Sequence, residues 1–174
     1  RDIHTPADKV DLLVAFNPAA LRANVDDVRS QGMVIINSDA FSKKSLLRAG
    51  YSQDPREDLA TRFNLVEIPL TSLNREALHG LAMSQREVDR CKNFFALGLL
   101  CWLYGRPMEA TERWLNGKFT GDVLKGNLRT LKAGHAFDFR ELRRSQKTIC
   151  QHHMASPHRI TTVGTDHPAL LRFL

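Results

Sequence analysis

The chain has 174 residues, 43% apolar and 25% charged, which is the composition of one globular domain large enough to bury a core without covalent staples. Lys and Arg number 25 against 19 Asp and Glu, a formal +6. Most of that excess lies in residues 139–174, where six basic residues (Arg140, Arg143, Arg144, Lys147, Arg159, Arg172) face Glu141 and Asp166. The rest of the chain is nearly neutral, so the net charge gives no general case for a nucleic-acid or membrane partner. Residues 1–9 are polar and lack the apolar stretch of a signal peptide, and the absence of an initiator Met leads us to expect that the chain begins inside a longer one. The longest apolar run, Phe94–Tyr104, is 11 residues, against the roughly 20 that a membrane-spanning helix needs. Three cysteines are too few for a disulfide framework and fit a reducing cytoplasm. Cys91 and Cys101 are ten positions apart on one expected helix, a rise of about 15 Å, whereas a bridge needs Cα atoms within about 7 Å.

In chain order, VDLLVAF (10–16) is a nearly continuous apolar run, the pattern of a strand buried on both faces. Asn17-Pro18 then opens a helix to about Val25, with Asn17 as N-cap and Pro18 at the first helical position, where its missing N–H costs nothing. Gly32 reads as a turn before a short strand, Met33–Ile36, which ends at Asn37-Ser38-Asp39. A weakly amphipathic helix is expected over 42–49, closed by Gly50. The polar stretch 51–62, with Asp54-Pro55, reads as a loop. Leu65–Ile68 is a third strand, followed by a helix over 73–81. Ser84-Gln85-Arg86-Glu87 is a capping box at the head of a long helix to Tyr104, charged in its first turns and apolar all round in its second half. Gly105 stops it. Further helices are expected over 107–116 and from Gly121 to about Ala133, the second ended by Gly134. Beyond Asp138 the periodicity fades, apart from a possible strand over 161–163.

Strand–helix alternation with crossover connections implies an α/β fold: three layers, α/β/α, around a mostly parallel sheet. Ligands of such sheets bind outside the carboxyl ends of the strands, here Asn17, then Asn37-Ser38-Asp39, then Thr71-Ser72. Asn17, Asn37 and Asp39 have two readings, a polar rim that meets a phosphate or a partner domain, or plain capping and turn chemistry. Asp39 with Lys43 and Lys44 has the pattern of a solvated ion pair. Cys91 could be a thiol activated by Arg90 and Lys92, but it stands mid-helix with no base beside it, which favours a buried, inert cysteine; Cys101 reads as core. Cys150, His152, His153 and His158 have loose zinc spacing, yet a structural site usually takes more than one cysteine, so a solvated basic tail is the better reading. His4, His79 and His135 are scattered. No phosphate-binding glycine loop, nucleophile elbow or nucleic-acid-binding signature occurs.

Four segments in order, VDLLVAFNPAAL (10–21), GMVIINSDAF (32–41), LVEIPLTSL (65–73) and RCKNFFALGLLCWLYGRPMEAT (90–111), together with AGY (49–51), resemble the gamma-type domain of the 2-oxoacid:ferredoxin oxidoreductases. Within that family they look most like the alpha subunit of the 2-oxoglutarate enzymes. The resemblance covers about residues 3–138, and KNFFALGLLCWLYGRP is its most specific part. It implies oxidative decarboxylation of a 2-oxoacid on thiamine diphosphate with Mg, acyl transfer to coenzyme A, and electrons passed through an iron–sulfur cluster to ferredoxin. It also implies that the family's glycine-rich opening strand and loop precede Val10 and are missing here, and that residues 1–138 form a partial gamma-type domain with 139–174 as a basic, His-rich tail. That tail departs from the family's acidic linker, as a divergent segment or one read in another frame after about Phe139.

The resemblance assigns the cofactors to other domains or subunits. No cofactor, catalytic residue or metal ligand is expected in this segment, which acts as a structural and binding domain. Only Asn17 and Asn37 carry over, as a cofactor-binding rim toward coenzyme A. The expected partners are the remaining domains of the alpha subunit, the thiamine-binding beta subunit and, through the complex, ferredoxin, with no nucleic acid and no membrane. The alternative is a stand-alone α/β binding or regulatory module without enzymatic activity.

Overall fold

A computed structural model describes residues 9–137 and the backbone of 160–163. The described elements are β1 (Val10–Ala15), α1 (Pro18–Asn24), β2 (Val28–Asn37), α2 (Lys43–Arg48), α3 (Arg56–Arg62), β3 (Asn64–Ile68), α4 (Leu70–Ala77), α5 (Gln85–Leu103), α6 (Glu109–Lys118), α7 (Gly121–Ala136) and β4 (Ile160–Val163). They form two compact units, one of residues 9–68 with β4 and one of residues 69–137.

The first unit is the sheet, with strand order β3-β2-β1-β4 and every pair parallel, as the alternation of strands and helices requires. The continuous apolar run of β1 fits its central place. Leu13 and Ala15 join Val34, Ile36, Leu21, Phe41, Leu46, Leu59 and Phe63 in one core cluster. Leu12 and Val14, which point the other way, are buried just as fully. β4 answers the expected strand near Thr161, pairing Leu13 with Thr161 and Ala15 with Val163.

Two expectations for this unit need correction. β2 starts at Val28, ahead of Gly32, and the register jumps from Val10–Val28 to Leu12–Met33. Residues between those pairs bulge outward, with Gln31 in the left-handed region at φ 60°. Gly32 is required there because a Cβ would lie 2.7 Å from Val28 Cγ1 and 2.9 Å from the Arg29 carbonyl. The glycine therefore marks a bulge inside the strand and not a turn before it. The second correction is α3, which occupies the stretch read as a loop. Pro55 caps it, Glu57 and Asp58 lie in its first turn and Arg62 in its last, so its charges suit the helix dipole. Leu59 is its sole buried residue, too little apolar pattern to reveal a helix of seven residues.

The second unit is helical. The capping box at Ser84 forms as expected: Ser84 Oγ accepts from the Glu87 N–H, and Glu87 Oε2 accepts from the Ser84 N–H at 2.7 Å. Hydrogen bonds from the Ser84 hydroxyl and then its backbone N–H hold the Glu87 carboxyl below its ordinary pKa. α4 begins at Leu70, three residues earlier than expected, straight after Pro69. α5 and α7 cross so closely that glycine is the only residue that fits at two points. A Cβ on Gly98 would lie 1.9 Å from the Leu131 carbonyl oxygen, and a Cβ on Gly134 would lie 1.9 Å from that of Phe95. Gly134 thus does not end α7, which continues to Ala136; it lets two helix backbones touch. Phe94, Trp114 and Phe119 pack as an aromatic trio with ring centroids 5.9–6.4 Å apart, joining α5 to α6.

Candidate functional site at the carboxyl edge of the sheet

Parallel strands bring their carboxyl ends to one edge. The pairs Ala15–Ile36 and Asn37–Ile68 put the residues after β1, the end of β2 and the end of β3 side by side. Asn17 follows β1. Its Oδ1 accepts from the Ala20 N–H at 2.8 Å, capping α1, and the residue is half-buried. Asn37 ends β2 and is 1% exposed. Its Nδ2 donates to the Phe16 carbonyl at 3.3 Å, which ties the end of β2 to the chain as it leaves β1. The structure therefore brings both expected rim residues to one edge. Both amides bind local backbone there, so the rim is firm and uncharged at its centre. Thr71 and Ser72 lie in the second unit.

Beyond Asn37 a short 3-10 turn, Ser38–Ala40, leads to the buried ring of Phe41. Across from it stands Arg56, at the head of α3, a residue the sequence reading passed over. Its guanidinium donates from Nη2 to the Phe41 carbonyl at 3.3 Å and lies over the Phe41 ring, 5.8 Å from its centroid. Nη1 is 3.5 Å from Asp54 Oδ2 and Nε is 3.2 Å from Glu67 Oε2. The Nε–H does not point at that oxygen, so the Glu67 contact is an ion pair and not an aligned hydrogen bond. The one available signal was Asp54-Pro55-Arg56, a helix-start pattern inside a polar stretch.

The two described cysteines, Cys91 and Cys101, are buried in α5. Cys91 Sγ donates to Asn127 Oδ1 at 3.0 Å, and burial pushes its thiol up to about 11. Burial raises the Cys101 thiol as well. Among the described residues no three His, Cys, Asp or Glu side chains gather to hold a metal ion. The described residues therefore do not fit an iron–sulfur cluster. His4, Cys150, His152, His153 and His158 lie outside the described residues. Among the described residues no helix is long and apolar enough to cross a membrane.

The parallel sheet, in the order β3-β2-β1-β4, is that of the three-layer α/β/α class. The family model for pyruvate ferredoxin/flavodoxin oxidoreductase matches residues 1–137, and the chain belongs to that family. It is 42% identical over 136 residues to the 2-oxoglutarate oxidoreductase subunit KorA of Mycobacterium tuberculosis (strain ATCC 25618 / H37Rv), a match covering 76% of this chain and 21% of that protein. Its fold is similar to that of a 2-oxoglutarate:ferredoxin oxidoreductase from Magnetococcus marinus, solved with 2-oxoglutarate, coenzyme A and succinyl-CoA bound. There the TM-score is 0.54 at 21% identity, covering 92% of this chain and 23% of that one. The chain thus spans about a fifth of the length of the curated relative it matches.

Proposed function

We propose that the chain is the gamma-type part of the alpha subunit of a 2-oxoacid:ferredoxin oxidoreductase, with 2-oxoglutarate as the 2-oxoacid. In this reading residues 1–138 form the partial gamma-type domain and 139–174 a divergent tail, of which β4 adds a strand to the sheet. The domain supports thiamine-dependent oxidative decarboxylation to an acyl-CoA without supplying the reacting groups. Asn17 and Asn37 form a rim that meets the anionic coenzyme A side of the complex. Thiamine diphosphate, Mg and the iron–sulfur cluster belong to the rest of the alpha subunit and to a thiamine-binding beta subunit, and electrons leave to ferredoxin in the cytoplasm.

The 42% identity over 136 residues to a 2-oxoglutarate oxidoreductase subunit carries this reading. The test is a chimera in which the matched stretch of the mycobacterial subunit is replaced by that of this chain and produced with its partner subunits. We expect an assembled complex that reduces a viologen dye in a 2-oxoglutarate- and coenzyme A-dependent way. A complex that assembles with normal cofactor content yet shows no such reduction refutes the proposal.

A further inference from the structure

We propose that Arg56 is the positioning residue of the carboxyl-edge rim, holding its backbone in place and keeping it open to anions. This rests on the reading of the Asn17–Asn37 edge as a binding rim.

The positioning half follows from where the guanidinium reaches. One side chain from the start of α3 holds the carbonyl of Phe41, just past the Ser38–Ala40 turn, and the carboxylate of Glu67, one residue before the end of β3. Those segments follow or end neighbouring strands, and Ile36 and Asn37 pair with Glu67 and Ile68. Arg56 therefore fixes the spacing between the turn after β2 and the end of β3. The turn is also closed by the Phe41 N–H to the Ser38 carbonyl at 3.2 Å and by the Ser45 hydroxyl to the Ala40 carbonyl. A lysine could supply the charge but not the planar fork that meets a carbonyl and two carboxylates together.

The electrostatic half follows from the count of charges. Asp54 and Glu67 place two carboxylates around one guanidinium. Removing that cation would leave Glu67 without its ion pair and Asp54 with only the Arg56 backbone N–H, beside a rim that is to receive an anion. Like charge close to a binding edge weakens an anion's affinity and does so less at high salt.

The test uses the chimeric complex described above, carrying this chain's residues, and coenzyme A as the probe, titrated calorimetrically, with amide exchange over 38–41 as a second readout. R56Q should weaken coenzyme A binding roughly three- to tenfold at low salt, with the loss shrinking in 0.5 M salt. R56Q/E67Q, which restores the local charge count, should return to within about twofold of the native affinity. A merely structural role would not be rescued by deleting a second contact. R56K should keep the affinity but let the Phe41 amide exchange faster, with the β1 amides unchanged. The proposal is overturned if R56Q binds like the chimera with Arg56 in place, if the double variant recovers nothing, or if R56K and R56Q leave the Phe41 amide as slow as before. An assembled chimera with Arg56 in place that does not bind coenzyme A would sink the reading of the rim itself; the positioning role of Arg56 is then decided by the exchange result.

Discussion

Gln31 holds a left-handed backbone, φ 60°, at the crest of the β2 bulge. A residue with a Cβ pays roughly 1–2 kcal/mol for that conformation, and glycine does not. Glycine loses part of the gain through the greater freedom of the unfolded chain. We expect Gln31→Gly to stabilise the chain by about 0.5–1 kcal/mol, seen as a higher urea midpoint with unchanged slope. An unchanged or lower midpoint would show that the bulge is not strained. At this scale the sequence was legible where a residue acts on its neighbours. Asn17 caps α1 because the next residue is Pro18 and the acceptor lies three positions from its donor. It was not legible where the partner is distant in the chain. Asn37 reaches a carbonyl 21 positions away, Cys91 an amide 36 positions away, and Arg56 joins Phe41 to Glu67.

Among the elements, α5 declared itself because capping box, charged start and apolar second half all agree over 19 residues. α3 did not, since its seven residues bury a single side chain. Gly134 was misread for a physical reason: a glycine near a helix end looks like a C-cap, and only the crossing partner shows that it is an interface. Gly134→Ala would force a Cβ to within 1.9 Å of the Phe95 carbonyl oxygen. We expect a loss of about 3 kcal/mol, measured by urea denaturation. Gly117, in α6, is the control, because a Cβ there meets nothing within 4 Å. Gly117→Ala should hold or gain up to about 1 kcal/mol from helix propensity. A Gly134→Ala chain as stable as the native one would mean that the crossing of α5 and α7 yields without cost.

For the whole chain, the parallel sheet and its carboxyl edge could be read from alternating apolar runs and helix starts, and the family from four ordered segments. The chemistry could not, because Asn17 and Asn37 are neutral amides bound to backbone and both described cysteines are buried thiols. Purified alone and given 2-oxoglutarate, coenzyme A and a viologen dye, the chain should show no turnover; measurable decarboxylation would place reacting groups within it. The +6 charge says little about the folded body, since +4 of it belongs to residues 139–174. The glycine crossing of α5 and α7 bears on how the second unit opens. Each helix shields the other's backbone at Gly98 and Gly134, so neither can fray inward past those points without exposing its partner. The central amides of the two helices should therefore exchange with solvent together, through one shared opening, while the sheet keeps its own clock.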